Sequence, residues 1–131
     1  MKLLYLFLLM LPFSFVFADQ ADPIDITAEL IKHGNIAGLS KNFASTVELT
    51  VLGEENIYSK EQAEQILTNF FKLNQPRSVS VLHRITSNPN YRFGVIIINT
   101  NNGVYRISFS LKNIKDHFEL NELRIEAEKT K

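Results

Sequence analysis

The chain has 131 residues, with 14 basic and 14 acidic side chains and a formal net charge of zero. That balance argues against a nucleic-acid partner, which demands a basic face, and no run of like charge suggests a membrane surface. Cysteine is absent, which excludes disulfides, thiol catalysis, cysteine-held metals and a lipid anchor at a cleavage-site cysteine.

The first eighteen residues stand apart. Lys2 supplies one positive charge, Leu3 to Val16 is apolar except for Pro12 and Ser14, and Val16-Phe17-Ala18 offers compact side chains where a signal peptidase reads. A membrane-spanning helix needs ~20 apolar residues, and this run is shorter, holds a proline and stops at Asp19. The expected organisation is a cleaved signal peptide over 1–18 and one domain over 19–131. The expected location is the periplasm or the exterior, with no membrane attachment after cleavage.

Asp22-Pro23 opens a first helix with Ile26, Leu30 and Ile31 on one face, stopped by Gly34. Asn35 caps a second, short one, with Ile36, Leu39 and Phe43 spaced for a buried face. The period then changes to two: Val47, Leu49 and Val51 read as a half-buried strand, Gly53 to Asn56 as a turn, and Ile57-Tyr58 as the start of a return strand. Ser59 and Gln62 form a capping-box pair opening a long helix with Ala63, Ile66, Leu67 and Phe70 on its core stripe and Phe71 on the flank. From Arg77 the chain is strand and turn: Val79 to Ile85, then Phe93 to Asn99, closed by Asn102-Gly103, then Tyr105 to Leu111, then Phe118 to Ile125. The step from Leu120 to Leu123 breaks alternation and predicts a bulge near Asn121-Glu122.

Two short helices and one long helix on a curved, mostly antiparallel sheet make an α+β fold. It resembles the cone-shaped, cystatin-like fold of the nuclear transport factor two-like superfamily. Gly34-Asn35-Ile36-Ala37-Gly38-Leu39, Tyr58-Ser59-Lys60-Glu61-Gln62-Ala63-Glu64 and Gly103-Val104-Tyr105-Arg106 resemble, within it, a family of uncharacterised secreted bacterial proteins. None of these stretches is a catalytic signature.

Pairing the strands around Asn102-Gly103 sets Ile98 opposite Ile107 and Ile96 opposite Phe109, and a turn at Ser87 to Asn90 sets His83 opposite Gly94. On that register His83 is the one ionisable group on the helix-covered face, with a gap beside it at Gly94. A pocket lined by Tyr58, Phe70, His83, Gly94, Tyr105 and Phe109 follows. The resemblance implies that an enzyme of this fold would pair such a histidine with an interior carboxylate. No interior acid is evident, so His83 is expected to be satisfied by Tyr105, Tyr58 or a backbone carbonyl.

His33 lies at a helix C-terminus and His117 at a turn, scattered and without near carboxylates, so neither a metal nor a cofactor is expected. Arg106 and Arg124 point outward among Glu119, Asn121 and Glu122 and read as surface ion pairs. Leu82, Phe93, Val95, Ile97 and Val104 also point outward, an apolar patch on an otherwise polar face. The resemblance implies homodimers through that surface, and coverage by the chain's own N-terminal segment is the other way to bury it.

The expected function is an exported non-enzymatic module, homodimeric through Leu82, Phe93, Val95 and Ile97, binding a small apolar ligand or a protein partner. The alternative is a small isomerase or dehydratase using His83 as general base beside Tyr58 or Tyr105. A scaffold that turns the outer face to a foreign partner is the third reading, told apart by whether the protein dimerises.

Overall fold

The computed structural model describes residues 21–129; the signal-peptide segment and its cleavage site lie outside the described residues. Helix α1 (Pro23–Lys32) begins where Asp22 Oδ1 accepts from the Ile24 N–H at 2.9 Å, and proline occupies the first turn, where its missing N–H costs nothing. It ends at Gly34, whose φ of +64° lets the chain turn back so that Gly34 N–H donates to Ile31 and Asn35 N–H to Leu30. Its buried face is Ile24, Thr27, Ala28 and Ile31. Ile26, expected there, is exposed.

Asn35 caps the five-residue helix α2 (Ile36–Ser40) through the Gly38 N–H. Strand β1 (Phe43–Val51) follows, and Phe43, expected on the helix face, is buried at the start of this strand. Leu52 and Gly53, both at positive φ, make a two-residue turn into β2 (Glu54–Ser59), so the return strand starts three residues earlier than Ile57. Helix α3 (Lys60–Leu73) opens with both arms of the capping box: Gln62 N–H donates to Ser59 Oγ at 3.2 Å, and Ser59 N–H to Gln62 Oε1 at 3.1 Å. It buries Ala63, Leu67, Phe70 and Phe71.

Four long strands complete the domain: β3 (Pro76–Ile85), β4 (Tyr91–Thr100), β5 (Gly103–Ile114) and β6 (His117–Ala127). All six strands form one curved, unclosed sheet in the order β2-β1-β6-β5-β4-β3, antiparallel except for the β1–β6 pair. Helix α1 packs on β3 and β4, and α3 on β1 and β2, so the helices cover one face between them. Ile96, Ile98, Ile107, Phe109, Leu120, Leu123 and Ile125 form the sheet's side of that core, all buried.

The register repeats the expected faces with two corrections. The β4–β5 turn is Asn101-Asn102 rather than Asn102-Gly103, which sets Ile98 opposite Tyr105 and Ile96 opposite Ile107. The shift is two residues, so every side chain keeps its face. Side-chain bonds fix this turn: Asn101 Oδ1 accepts from Gln75 N–H, and Thr100 Oγ1 accepts from Asn102 N–H while donating to the Gly103 carbonyl. The second correction is a bulge at Leu82. The expected pairs Val79–Ile98 and Val81–Ile96 hold, but beyond the bulge His83 meets Val95 and Arg84 meets Gly94. The bulge expected near Asn121 is present, with Asn121 the extra residue between Leu120 and Glu122.

Candidate functional site

The bulge at Leu82 decides what the interior can do. It turns His83 onto the outer face, where it is exposed, and brings Arg84 to the helix side. Arg84 reaches the N-terminal turn of α1, with Nη1 3.3 Å from Asp22 Oδ2 and Nη2 bonded to Asp25 Oδ1. Its guanidinium is held above its ordinary value, first by the Asp25 hydrogen bond. Among the described residues no carboxylate pairs with His83, and neither Tyr58 nor Tyr105 reaches it. The sequence did carry one signal for Arg84: two acids three apart at a helix start ask for a cation.

The gap expected at Gly94 is filled. A Cβ built there would sit 2.7 Å from Phe109 Cζ and 2.9 Å from Ile24 Cγ2, so the glycine lets β4 approach a buried ring and helix α1. The other expected lining residues separate into two places. Phe70 packs edge-on against Phe71 and Tyr105, with centroids 5.1 and 5.2 Å apart, and the Tyr105 hydroxyl donates to Asn74 Oδ1 at 3.0 Å. Tyr58 lies at the far side of α3, where with Gln62, Gln65, Ile66 and Asn69 it lines a surface depression of about 260 Å³. A second depression, about 190 Å³, lies between the start of α1 and the β5–β6 end, against Ile26, Leu111 and Phe118.

His33 and His117, expected without carboxylates, each have one: Glu29 and Glu119, both at 3.2 Å and at the surface. Among the described residues no three histidine or acidic side chains converge on a metal position. Arg106 pairs with Glu128 at 2.9 Å and Arg124 with Glu126 at 3.3 Å; both are surface ion pairs as expected, but the partners are not Glu119 or Glu122 and the second pair lies within β6 itself.

The face opposite the helices is the more distinctive one. Its register sets Ile85 beside Phe93, Ser110, Glu122, Glu48 and Ile57, and His83 beside Val95, Ser108, Arg124, Thr50 and Glu55. Along these two rows the face is apolar over β4 and at Ile85, small and hydroxylic at Ser108 and Ser110, and mostly charged over β6, β1 and β2, while Arg106 and Lys112 stand on the same face of β5. Leu82 is 45% exposed and Ile85 50%, while Phe93 and Ile97 are half-buried. Val95, short and flanked by Phe93 and Ile97 along its own strand, is 7% exposed. Tyr91 extends the apolar side, its hydroxyl 2.9 Å from Ser110 Oγ. Ile85 and Tyr91 were not among the expected patch residues: the bulge turns Ile85 outward, against an alternation that runs unbroken through Val79, Val81, His83 and Ile85.

A family model described as "Domain of unknown function (DUF4783)" matches residues 24–126. No curated protein matches the sequence. Among solved structures, a DUF4783 family protein from Bacteroides uniformis is 21% identical, with a TM-score of 0.78, covering 83% of this chain and all of its own. A cystatin-like domain of unknown function from Nostoc punctiforme is 11% identical, with a TM-score of 0.62, covering 79% of this chain and 72% of its own. An NTF-2 like protein of unknown function from Silicibacter pomeroyi is 6% identical, with a TM-score of 0.61 over 80% of this chain and 90% of its own. At these identities the likeness is one of fold.

Proposed function

The chain belongs to the DUF4783 family, with a nuclear transport factor two-like fold, and on that footing we propose that it is an exported, non-enzymatic binding module that pairs with a second copy of itself. The observation that carries the reading is the division of labour between the two faces of the sheet. Beneath the helices, the position where a general base and a substrate would meet is taken by Phe109, Ile24 and the Arg84 ion pairs. On the open face, Leu82, Ile85, Phe93, Ile97 and Tyr91 form a contiguous apolar area beside a charged one. Folds of this class host many activities, so the working surface is sought where apolar side chains remain in water. Burial of such area yields ~25 cal/mol per Å², and a twofold axis places the same patch on both sides of the contact. His83 then serves as a patch residue beside Val95.

The test is sedimentation of the purified protein over a rising concentration series. The expected result is a monomer–dimer equilibrium that Leu82→Glu or Ile97→Glu abolishes, with far-UV circular dichroism unchanged. Each substitution places a charge in the contact twice. A wild-type protein that stays monomeric at high concentration refutes the reading. Export is checked separately: the mature protein recovered outside the cytoplasm should begin at Asp19 by mass spectrometry. A retained Met1 overturns that part.

A further inference from the structure

The sheet has two rims, β3 and β2, and they are treated differently. The β3 rim opens on Pro76, which has no N–H to offer, and is bulged at Leu82; a helix packs on each rim, α1 on β3 and α3 on β2. The proline and the bulge are devices that blunt an edge strand. β2 has neither proline nor bulge, and its register with β1 runs unbroken from Val51↔Glu54 to Thr46↔Ser59. The two-residue turn at Leu52-Gly53 makes Val51 and Glu54 a hydrogen-bonded pair, and bonded pairs recur at alternate residues, Asn56 and Tyr58. The N–H and C=O groups of Glu55 and Ile57 therefore point away from the sheet.

The side chains along this rim are equally unspent. Ile57 is 73% exposed, on the face away from the helices. Around it stand Glu55, Glu48 and Glu122, and the nearby cation, Arg124, lies 3.3 Å from Glu126. The Glu48 carboxyl is held above its ordinary value, first by its hydrogen bond with Glu55 and then by repulsion from Glu122. Arg124 offsets this only in part, so the three acids remain in excess and a further cation is favoured beside them.

We propose that the β2 rim receives an extended, cationic segment of another protein as a seventh strand, with Lys or Arg opposite Glu55 and an apolar side chain opposite Ile57. Main-chain bonds to Glu55 and Ile57 supply the attachment and the side chains two residues apart supply the selection, as in other cases of strand addition. The site lies at the far side of the sheet from the apolar patch on β3 and β4, so occupancy of one leaves the other open.

The probe is a fluorescein-labelled peptide repeating Lys-Lys-Val-Val, which sets a lysine and a valine two residues apart on each face, titrated with the purified protein at low ionic strength and read by anisotropy. Saturable binding is expected, weakened about tenfold or more when the peptide's pairing edge is N-methylated at alternate residues. Ile57→Pro should weaken it similarly, because its N–H faces outward and the pairing with β1 survives. The N-methylated peptide tests the same bonds with the protein untouched, should the proline variant not fold. Three results overturn the proposal: affinity unaffected by N-methylation, which marks a diffuse charge effect; equal binding of a glutamate–valine peptide; or a self-association lost in Ile57→Pro with no peptide binding, which gives the rim to a second copy.

Discussion

Single positions carry the sharpest consequences of this structure. At Gly94 the sequence leaves space for a ligand, and the structure spends that space on Phe109 and Ile24. Gly94→Ala would force a methyl group to 2.7 Å from a buried ring. Overpacking of this kind costs ~1–3 kcal/mol, so the melting temperature should fall by roughly 5–15 °C in a thermal scan. A pocket at this position would instead accept the methyl without loss. At Glu48 the consequence is one of pH. Its carboxyl titrates above the ordinary glutamate value in the folded state, so between those two values the folded protein holds more protons than the unfolded one, and stability falls as pH rises through that window. Glu55→Gln removes the neighbouring charge. The variant should therefore melt slightly above the wild type near about pH 7 and together with it near about pH 3, and equal melting at the higher pH would exclude this repulsion as a factor in stability.

At the scale of elements, Asp22 joins a helix to a strand. One carboxylate oxygen caps α1 and the other faces Arg84 of β3, 62 residues away. Asp22→Asn keeps an oxygen for the Ile24 N–H and should cost no more than the ~0.2–1 kcal/mol of an exposed ion pair. Asp22→Ala loses the cap as well and should cost a further ~1 kcal/mol by denaturant unfolding. Equal costs would assign the whole effect to one oxygen. The same contrast between local and distant bonds explains what could be read from sequence. Helix ends were legible because caps are local: Asp22-Pro23, Gly34 and the Ser59–Gln62 pair act within a few residues. The bulge at Asn121 was legible because alternation visibly breaks there, and the faces of β4 and β5 survived a two-residue error in their turn. The bulge at Leu82 was not legible, because the apolar pattern runs through it without a break. What accompanies it is a long-range pairing, Arg84 with Asp22 and Asp25, and with it His83 left the interior and the candidate pocket lost its base.

At the scale of the whole molecule, the fold class was readable from the order of elements and the family from the resemblance carried by three short stretches, whereas the proposed working surface depends on which side chains the sheet leaves uncovered. The strand order has a further consequence. β6 is sixth along the chain but third in the sheet, between β1 and β5, and its parallel pairing with β1 joins residues 43–51 to residues 120–125. Until β6 arrives, the β1–β2 hairpin and α3 have no sheet to join, and the β3–β4–β5 meander ends at β5 with its neighbour missing. Pairings this distant in sequence are slow to form. A chain stalled on the ribosome after Ile114 should accordingly be digested rapidly by added protease, and one released after Ala127 should resist it. Early protection of the stalled chain would show that the two halves fold alone. On that expectation the late-arriving central strand would act as a timing device, leaving the N-terminal half pliable while the polypeptide is made, which suits the threading through a narrow channel that the proposed export calls for.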